Sequence, residues 1–278
     1  MPELPEVETM RRGILAIQGA TVTHVEKVRC TRKPISIKPT ISTIRRRIVG
    51  QQVQAVERIG KRVLIRFEND DRLVFEPRMT GLVLVNDPPS SAHLRFRMGF
   101  SSGIDEVFFW DRRGLGLIYL LTAAELLERL GPDKLGPDAL VVNGEDLQRI
   151  FGASKRPIKV ALLDQKRIAG VGNLYASELL HLAGIHPAKM CHRITAQQWS
   201  IICEAMQTIL LAAIEQEGST LSDGTYRNAL NDPGGYQNMH RVYDKENKTC
   251  STCHSQTIER IVQAQRSTFF CKDCQTRA

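Results

Sequence analysis

Val63-Leu64-Ile65-Arg66-Phe67, followed by Glu68-Asn69-Asp70-Asp71, is the stretch that decides the architecture of the first half. Val63, Ile65 and Phe67 recur at every second position, the period of a strand with a buried face, and Asn69-Asp70-Asp71 has the composition of a hairpin turn. Further along, Leu94, Phe96 and Met98 repeat the alternation, and Val107–Trp110 and Leu117–Leu120 continue it after Ser101-Ser102-Gly103. From about Thr21 to Leu121 the chain reads as short strands without intervening helices, which predicts an antiparallel β-sandwich. Upstream, residues 5–18 carry Val7, Met10, Ile14 and Ile17 at helical spacing, with Glu6 and Glu8 ahead of Arg11 and Arg12 in the order that complements a helix dipole. Downstream, Thr122 and Glu125 form a capping box before a short helix, Ala123–Leu130. Gly131-Pro132 and Gly136-Pro137 then break the pattern, and a domain junction is expected over 131–145.

The second half changes period. Pro157 suits the first position of a helix over Ile158–Gln165, and the turn Gly170-Val171-Gly172 precedes a helix over Leu174–Ala183. The clearest helix covers 196–217, with Trp199, Ile202, Cys203, Met206, Ile209, Leu210 and Ala213 on one stripe, so Cys203 reads as core filler. Residues 218–240 form a polar loop of a length that usually serves function. No internal repeat is visible.

The chain has 278 residues, 42% hydrophobic and 24% charged, enough for two ordinary domains with buried cores. Its formal net charge of +8 and pI near 9.2 favour an anionic partner, nucleic acid before an acidic membrane surface. Charged residues interrupt positions 3–12 and no apolar run nears the ~20 residues of a membrane span, so a soluble cytosolic protein is expected. Seven cysteines, an odd number without a secretion signal, argue against a disulfide framework.

Four of those cysteines are paired: Cys250-Ser-Thr-Cys253 and Cys271-Lys-Asp-Cys274, separated by residues 254–270. This is the spacing of a closed tetrahedral four-thiolate zinc site with a structural role, and the intervening segment suits a two-stranded hairpin carrying Gln265-Arg266-Ser267-Thr268. His254 reads as an exposed loop residue rather than a fifth ligand. Arg260, Arg266, Lys272 and Arg277 supply cations suited to phosphates, although Arg266 by itself reads first as a solvated hairpin charge.

The chain opens Met1-Pro2-Glu3-Leu4-Pro5-Glu6-Val7-Glu8-Thr9. Removal of Met1 makes Pro2 a terminal secondary amine beside a carboxylate. An α-amino group titrates near ~8, so roughly a tenth is neutral at pH 7, far more than for a lysine near ~10.4. A neutral amine attacks electrophilic carbon and forms Schiff bases, and Glu3 is placed to move protons. The plainer alternative is a processed terminus whose prolines set a helix entry.

Taken together, the two ends resemble the formamidopyrimidine-DNA glycosylase family. Residues 2–9 match its opening, Ile168-Ala-Gly-Val-Gly-Asn173-Leu-Tyr-Ala-Ser-Glu178 its helix–two-turns–helix motif, and the four-cysteine finger with Gln265–Phe270 its third element. Leu4 resembles the branch acting on oxidised purines; the endonuclease VIII branch commonly has Gly there. The resemblance implies an α+β fold: a β-sandwich catalytic domain over 1–135 with flanking helices, a helical DNA-binding domain over 146–240, and a zinc finger over 241–278. It implies that Pro2 is the nucleophile, Glu3 the proton donor, Lys61 the lysine near the lesion phosphate and sugar, and Arg266 a participant in the second elimination. Asn173, Arg266 and Lys155 would grip phosphates, while Met79, Arg113 and Leu115 would fill the space left by an everted base.

Two motifs depart from the family pattern. His-x-Gly-Met is replaced by Glu76-Pro77-Arg78-Met79, and Asp-Pro-Arg-Arg-Phe-Gly by Asp111-Arg112-Arg113-Gly114-Leu115-Gly116. Without the resemblance, Lys61 reads as a turn lysine and Met79 and Leu115 as core packing. The expected partner is double-stranded DNA containing oxidised bases, bound by a monomer with one structural Zn2+ and no membrane partner. Two alternatives stay open: an endonuclease VIII-like enzyme for oxidised pyrimidines or abasic sites, and a non-catalytic zinc protein that senses lesions.

Overall fold

The computed structural model describes residues 2–276, so Met1, expected to be removed, and the cation Arg277 lie outside the described residues. Its elements run α1 (Leu4–Gly13), β1 (Val22–Lys27), β2 (Ser36–Lys38), α2 (Ile41–Ile48), β3 (Val53–Ile59), β4 (Arg62–Phe67), β5 (Arg72–Glu76), β6 (Gly81–Leu84), β7 (Leu94–Phe100), β8 (Glu106–Asp111) and β9 (Leu117–Leu121). Then follow α3 (Ala123–Leu130), α4 (Gly144–Phe151), α5 (Ile158–Leu162), α6 (Asn173–Leu182), α7 (Ala196–Glu215), β10 (Glu259–Gln263) and β11 (Arg266–Phe270).

The chain forms two compact units, the first from 1–134 with 214–237, the second from 135–213 with 238–278. In the first unit a sheet ordered β1-β7-β8-β6 and another ordered β2-β9-β5-β4-β3 contribute to one apolar cluster. Val63, Ile65 and Phe67 point into that cluster with Phe75, Phe96 and Phe109, while Val7, Met10, Ile14 and Ile17 bury the apolar stripe of the first helical segment in it. The opposite face of the second sheet is covered too: Leu64, Val74, Tyr119 and Leu121 pack with Leu126 of α3. This explains the apolar Leu64 inside an otherwise alternating strand. All pairings in the two sheets are antiparallel except β2 with β9.

Three local expectations change. The first helix stops at Gly13 and a 3-10 turn, Leu15–Ile17, completes the stripe; a Cβ on Gly13 would lie 2.1 Å from Ala229 Cβ, so the helix end accepts only glycine beside the 218–240 segment. The strand region does contain a helix, α2, capped by Thr40 and seated on buried Ile44 and Ile48. Finally, residues 214–237 belong to the first unit, whereas the sequence reading placed them with the helical domain.

In the second unit, α7 buries Trp199, Ile202, Cys203, Met206, Ile209, Leu210 and Ala213, the expected stripe. Asn143 and Asp146 cap α4, which sequence reading did not foresee. β10 and β11 form the hairpin between the cysteine pairs, with Gln263 opposite Arg266. Ala264 and Gln265 turn the corner with φ of 45° and 61°, the left-handed geometry of a two-residue hairpin turn, here without glycine.

Candidate active site and nucleic-acid interface

Pro2 and Glu3 are buried at the start of α1. Glu3 is the residue before the helix, and its N–H donates to the Glu6 carboxylate at 2.8 Å. The other Glu6 oxygen accepts from the Ser219 N–H at 2.9 Å, so a single buried carboxylate fixes both the N-terminal segment and the start of the 218–240 loop. Gly218 adopts φ +82° against the Glu6 side chain, where a Cβ would come within 2.9 Å. This is a close approach that glycine alone permits.

Lys61 occupies the two-residue turn Gly60-Lys61 between β3 and β4, where Ile59 pairs with Arg62. The turn is tied to α1 through one guanidinium. Arg58 donates to Glu8 at 3.1 Å and to the Gly60 carbonyl at 3.0 Å. Glu8 also receives Arg11 at 2.7 Å and Arg12 at 3.0 Å. Burial alone would raise the Glu8 pKa, but these guanidinium groups outweigh it and hold the carboxyl at about 2. The helix that starts directly after Pro2 and Glu3 and the turn carrying Lys61 are therefore joined by a charged clamp.

Met79, Arg113 and Leu115 lie on two stitched loops. Asp111, wholly buried, accepts from the Thr80 hydroxyl, from the Arg113 N–H at 3.2 Å and from the Gly116 N–H at 2.7 Å. The Arg113 N–H also donates to the Thr80 hydroxyl at 2.9 Å. Arg95, 2% exposed, donates to the Asp111 carbonyl at 3.0 and 2.9 Å from behind. Arg113 and Met79 consequently project from rigid turns, whereas Leu115 is half-buried. Gly114 has φ +63° and a Cβ there would meet the Lys33 carbonyl oxygen at 2.3 Å, which accounts for glycine in place of the family's arginine.

The second unit assembles its own group. Asn173 opens α6; its Oδ1 accepts from the Lys159 ammonium and its Nδ2 donates to the Ser267 carbonyl at 3.0 Å. That bond sets Asn173 beside the strand whose first residue is the exposed Arg266. Gln165 braces the preceding turn, accepting from the Gly170 N–H at 3.0 Å and donating to the Val171 carbonyl at 2.8 Å. Lys155 is exposed in the segment before α5.

The four sulfurs of Cys250, Cys253, Cys271 and Cys274 lie within 4.8 Å of one another. Cys250 and Cys274 are 3.8 Å apart, Cys253 and Cys271 3.7 Å. A Zn–S bond of about 2.3 Å sets tetrahedral S···S edges of about 3.8 Å, so these residues fit zinc with no open coordination position. His254 is exposed and outside this set, as expected. His181 Nε2 approaches Cys250 Sγ at 3.6 Å. One turn earlier the fully buried Glu178 accepts from the N–H groups of Arg241, Val242 and Tyr243 at 2.8, 3.0 and 2.7 Å, fixing the strand of chain that leads into the ribbon.

Three residues escaped the sequence reading. Lys159, completely buried, holds Asn173; its signal was a lysine among Ile158, Val160 and Ala161 at a helix start. Asp111 has no signal in the sequence beyond its place at the head of Asp111-Arg112-Arg113-Gly114-Leu115-Gly116. His93 has a buried Nδ1 without a partner and stands edge-on to Trp110 at 5.4 Å. Burial, with Arg95, Arg32 and Arg112 nearby, lowers its pKa. Those cations come from separate segments, so no sequence signal exists for it.

A proline at position 2 ahead of a β-sandwich, a helix–two-turns–helix unit and a four-thiolate ribbon together define a class of DNA-repair glycosylase. The formamidopyrimidine-DNA glycosylase N-terminal domain matches residues 1–118, its H2TH domain residues 130–225, and the zinc finger found in FPG and IleRS residues 248–277. The formamidopyrimidine-DNA glycosylase of Chloroflexus aurantiacus is 37% identical over 99% of this chain and 98% of its own. That of Gluconobacter oxydans is 35% identical over 99% and 100%. Among solved structures, the MutM (Fpg) protein from Thermus thermophilus superposes with a TM-score of 0.85 at 34% identity, covering 99% of this chain and 98% of that one. Lactococcus lactis Fpg in complex with abasic-site DNA superposes with a TM-score of 0.85 at 29% identity, over 98% and 99%. The chain belongs to the formamidopyrimidine-DNA glycosylase family.

Proposed function

We propose that this chain excises oxidised purines, 8-oxoguanine and formamidopyrimidines, from duplex DNA and then cuts the strand, the activity of a bifunctional glycosylase and abasic-site lyase in base excision repair. The observation that carries this reading is the placement of Pro2 and Glu3 at the buried start of α1, clamped through Glu8 and Arg58 to the turn bearing Lys61.

The Pro2 nitrogen, freed by loss of Met1, attacks C1′ of the damaged nucleotide; the base leaves with a proton delivered by Glu3, and the sugar ring opens to an iminium on Pro2. The iminium acidifies C2′. Loss of a C2′ proton expels the 3′ phosphate, and a second elimination, assisted by Arg266, expels the 5′ phosphate. Water then hydrolyses the iminium and restores Pro2, leaving a one-nucleotide gap with phosphate ends. Lys61 holds the lesion phosphate during both eliminations. Asn173, Arg266 and Lys155 neutralise backbone phosphates. Met79, Arg113 and Leu115 occupy the helix gap, with Arg113 hydrogen-bonding the orphaned base. Zinc, held by Cys250, Cys253, Cys271 and Cys274, supplies rigidity to the hairpin and takes no part in proton or bond transfer. The working form is a monomer on chromosomal DNA in the bacterial cytoplasm; among the described residues no helix is long and apolar enough to cross a membrane.

Excision from duplexes containing one 8-oxoguanine or one thymine glycol tests the substrate assignment. Faster release of 8-oxoguanine is expected. Activity on thymine glycol alone would move the chain to the pyrimidine-specific reading.

A further inference from the structure

Between Leu73 and Leu84 every residue is buried except Arg78 and Met79. The two protrude from the turn linking β5 to β6, closed by a hydrogen bond from the Gly81 N–H to the Pro77 carbonyl at 2.9 Å. Arg78 is held at φ +56°, a conformation that suits glycine and costs of order 1 kcal/mol or more for other residues. Glycine would take this conformation without cost, so the chain accepts strain here to present a guanidinium. Strain of this kind concentrates where a side chain has work to do.

The guanidinium is also parked. Arg78 pairs with one oxygen of Glu76, a carboxylate only 6% exposed. The other Glu76 oxygen accepts from Arg62 at 2.7 Å and from the Tyr119 hydroxyl at 2.9 Å. Burial first, then the Glu76 charge, pushes the Tyr119 phenol up to about 12, so it stays a donor throughout the working range. Glu76 thus retains two buried partners if Arg78 swings away, and no bare carboxylate is left in the interior. Arg78 itself has half its side chain in solvent, beside the exposed Met79.

Resting on the DNA-glycosylase reading above, we propose that Arg78 is an additional phosphate-binding residue of this chain: it exchanges its pairing with Glu76 for a backbone phosphate of the DNA strand that Met79 enters. The exchange trades one ion pair for another and leaves the buried Arg62–Glu76–Tyr119 group intact.

The test is the salt dependence of binding to a duplex carrying one tetrahydrofuran abasic-site analogue, measured for the full zinc-loaded chain and for Arg78→Gly, Arg78→Gln and Arg78→Lys. Loss of one phosphate contact lowers the slope of log K against log salt by about 0.9, which over a fourfold rise in salt is about a 3.5-fold change in the affinity ratio. The Gly and Gln variants should show that loss and the Lys variant should not. Arg78→Gly accommodates the turn and should melt no lower than the parent, which separates binding from folding; Arg78→Gln keeps the strain and removes only the charge. Equal slopes in all four proteins overturn the proposal. Absence of any DNA binding by the unsubstituted chain overturns the glycosylase reading itself.

Discussion

Replacing Asp111 by Asn probes how the loop proposed to fill the helix gap is held. The Asp111 carboxylate sits at 0% exposure and accepts three bonds, from Thr80, Arg113 and Gly116. Whichever way the new amide is turned, its NH2 faces a backbone N–H, of Gly116 or of Arg113. One buried donor is orphaned, at about 1–3 kcal/mol, and the remaining bonds fall from charged to neutral acceptors, at about 1 kcal/mol each. The total of about 3–5 kcal/mol corresponds to a melting decrease of about 10 °C for a domain of this size. Because the cost falls on the turn 111–116, excision of 8-oxoguanine from duplex should slow more than excision from a single strand, where no partner base needs replacing. Scanning calorimetry and single-turnover excision on both substrates report the two effects. A variant that melts within 2 °C of the parent (roughly the effect of 1 kcal/mol) and excises from duplex at the parental rate would refute the assigned role of Asp111.

Lys159→Met keeps the volume of a buried side chain and removes the donor to Asn173; affinity for abasic-analogue DNA should fall about 10-fold with little change in melting, and unchanged affinity would show that Asn173 needs no such support. Stripping the ribbon with a thiol-reactive mercurial and a chelator should abolish amide-exchange protection across β10 and β11 while β3–β5 stay protected, because the first unit has its own core. The Glu8 carboxyl, near 4.5 when unfolded and about 2 when folded, contributes stability that is complete above about pH 4.5 and is lost as pH falls towards 2. The shift corresponds to about 3 kcal/mol. The melting difference between the parent and Glu8→Gln should therefore shrink over that window, and parallel pH curves would contradict the clamp.

Some of this molecule is legible in its sequence because the determinants are local. The Cys250–Cys253 and Cys271–Cys274 spacings define the metal site by chain geometry alone, and the capping box Thr122–Glu125 starts α3 where expected. The helix α2 was hidden because Ile41, Ile44 and Ile48 are diluted by arginines in a window flanked by strands, though their spacing is helical. Residues 214–237 join the first unit through Glu6–Ser219, a contact between positions 213 apart that no periodicity encodes. Arg78 reads as an ordinary turn cation in the sequence, and only the backbone shows that it takes a glycine-like conformation. His93 and Lys159 draw their character from side chains brought together by folding, so their chemistry becomes visible only in three dimensions.

During turnover the freed Pro2 nitrogen should become bonded to the deoxyribose. Borohydride reduction during turnover on 8-oxoguanine duplex, followed by proteolysis and mass spectrometry, locates that bond. A sugar adduct on the peptide beginning at Pro2, with Met1 absent, is the predicted result. An adduct on Lys61 or any other lysine, or full strand cleavage by a protein that retains Met1, would contradict it.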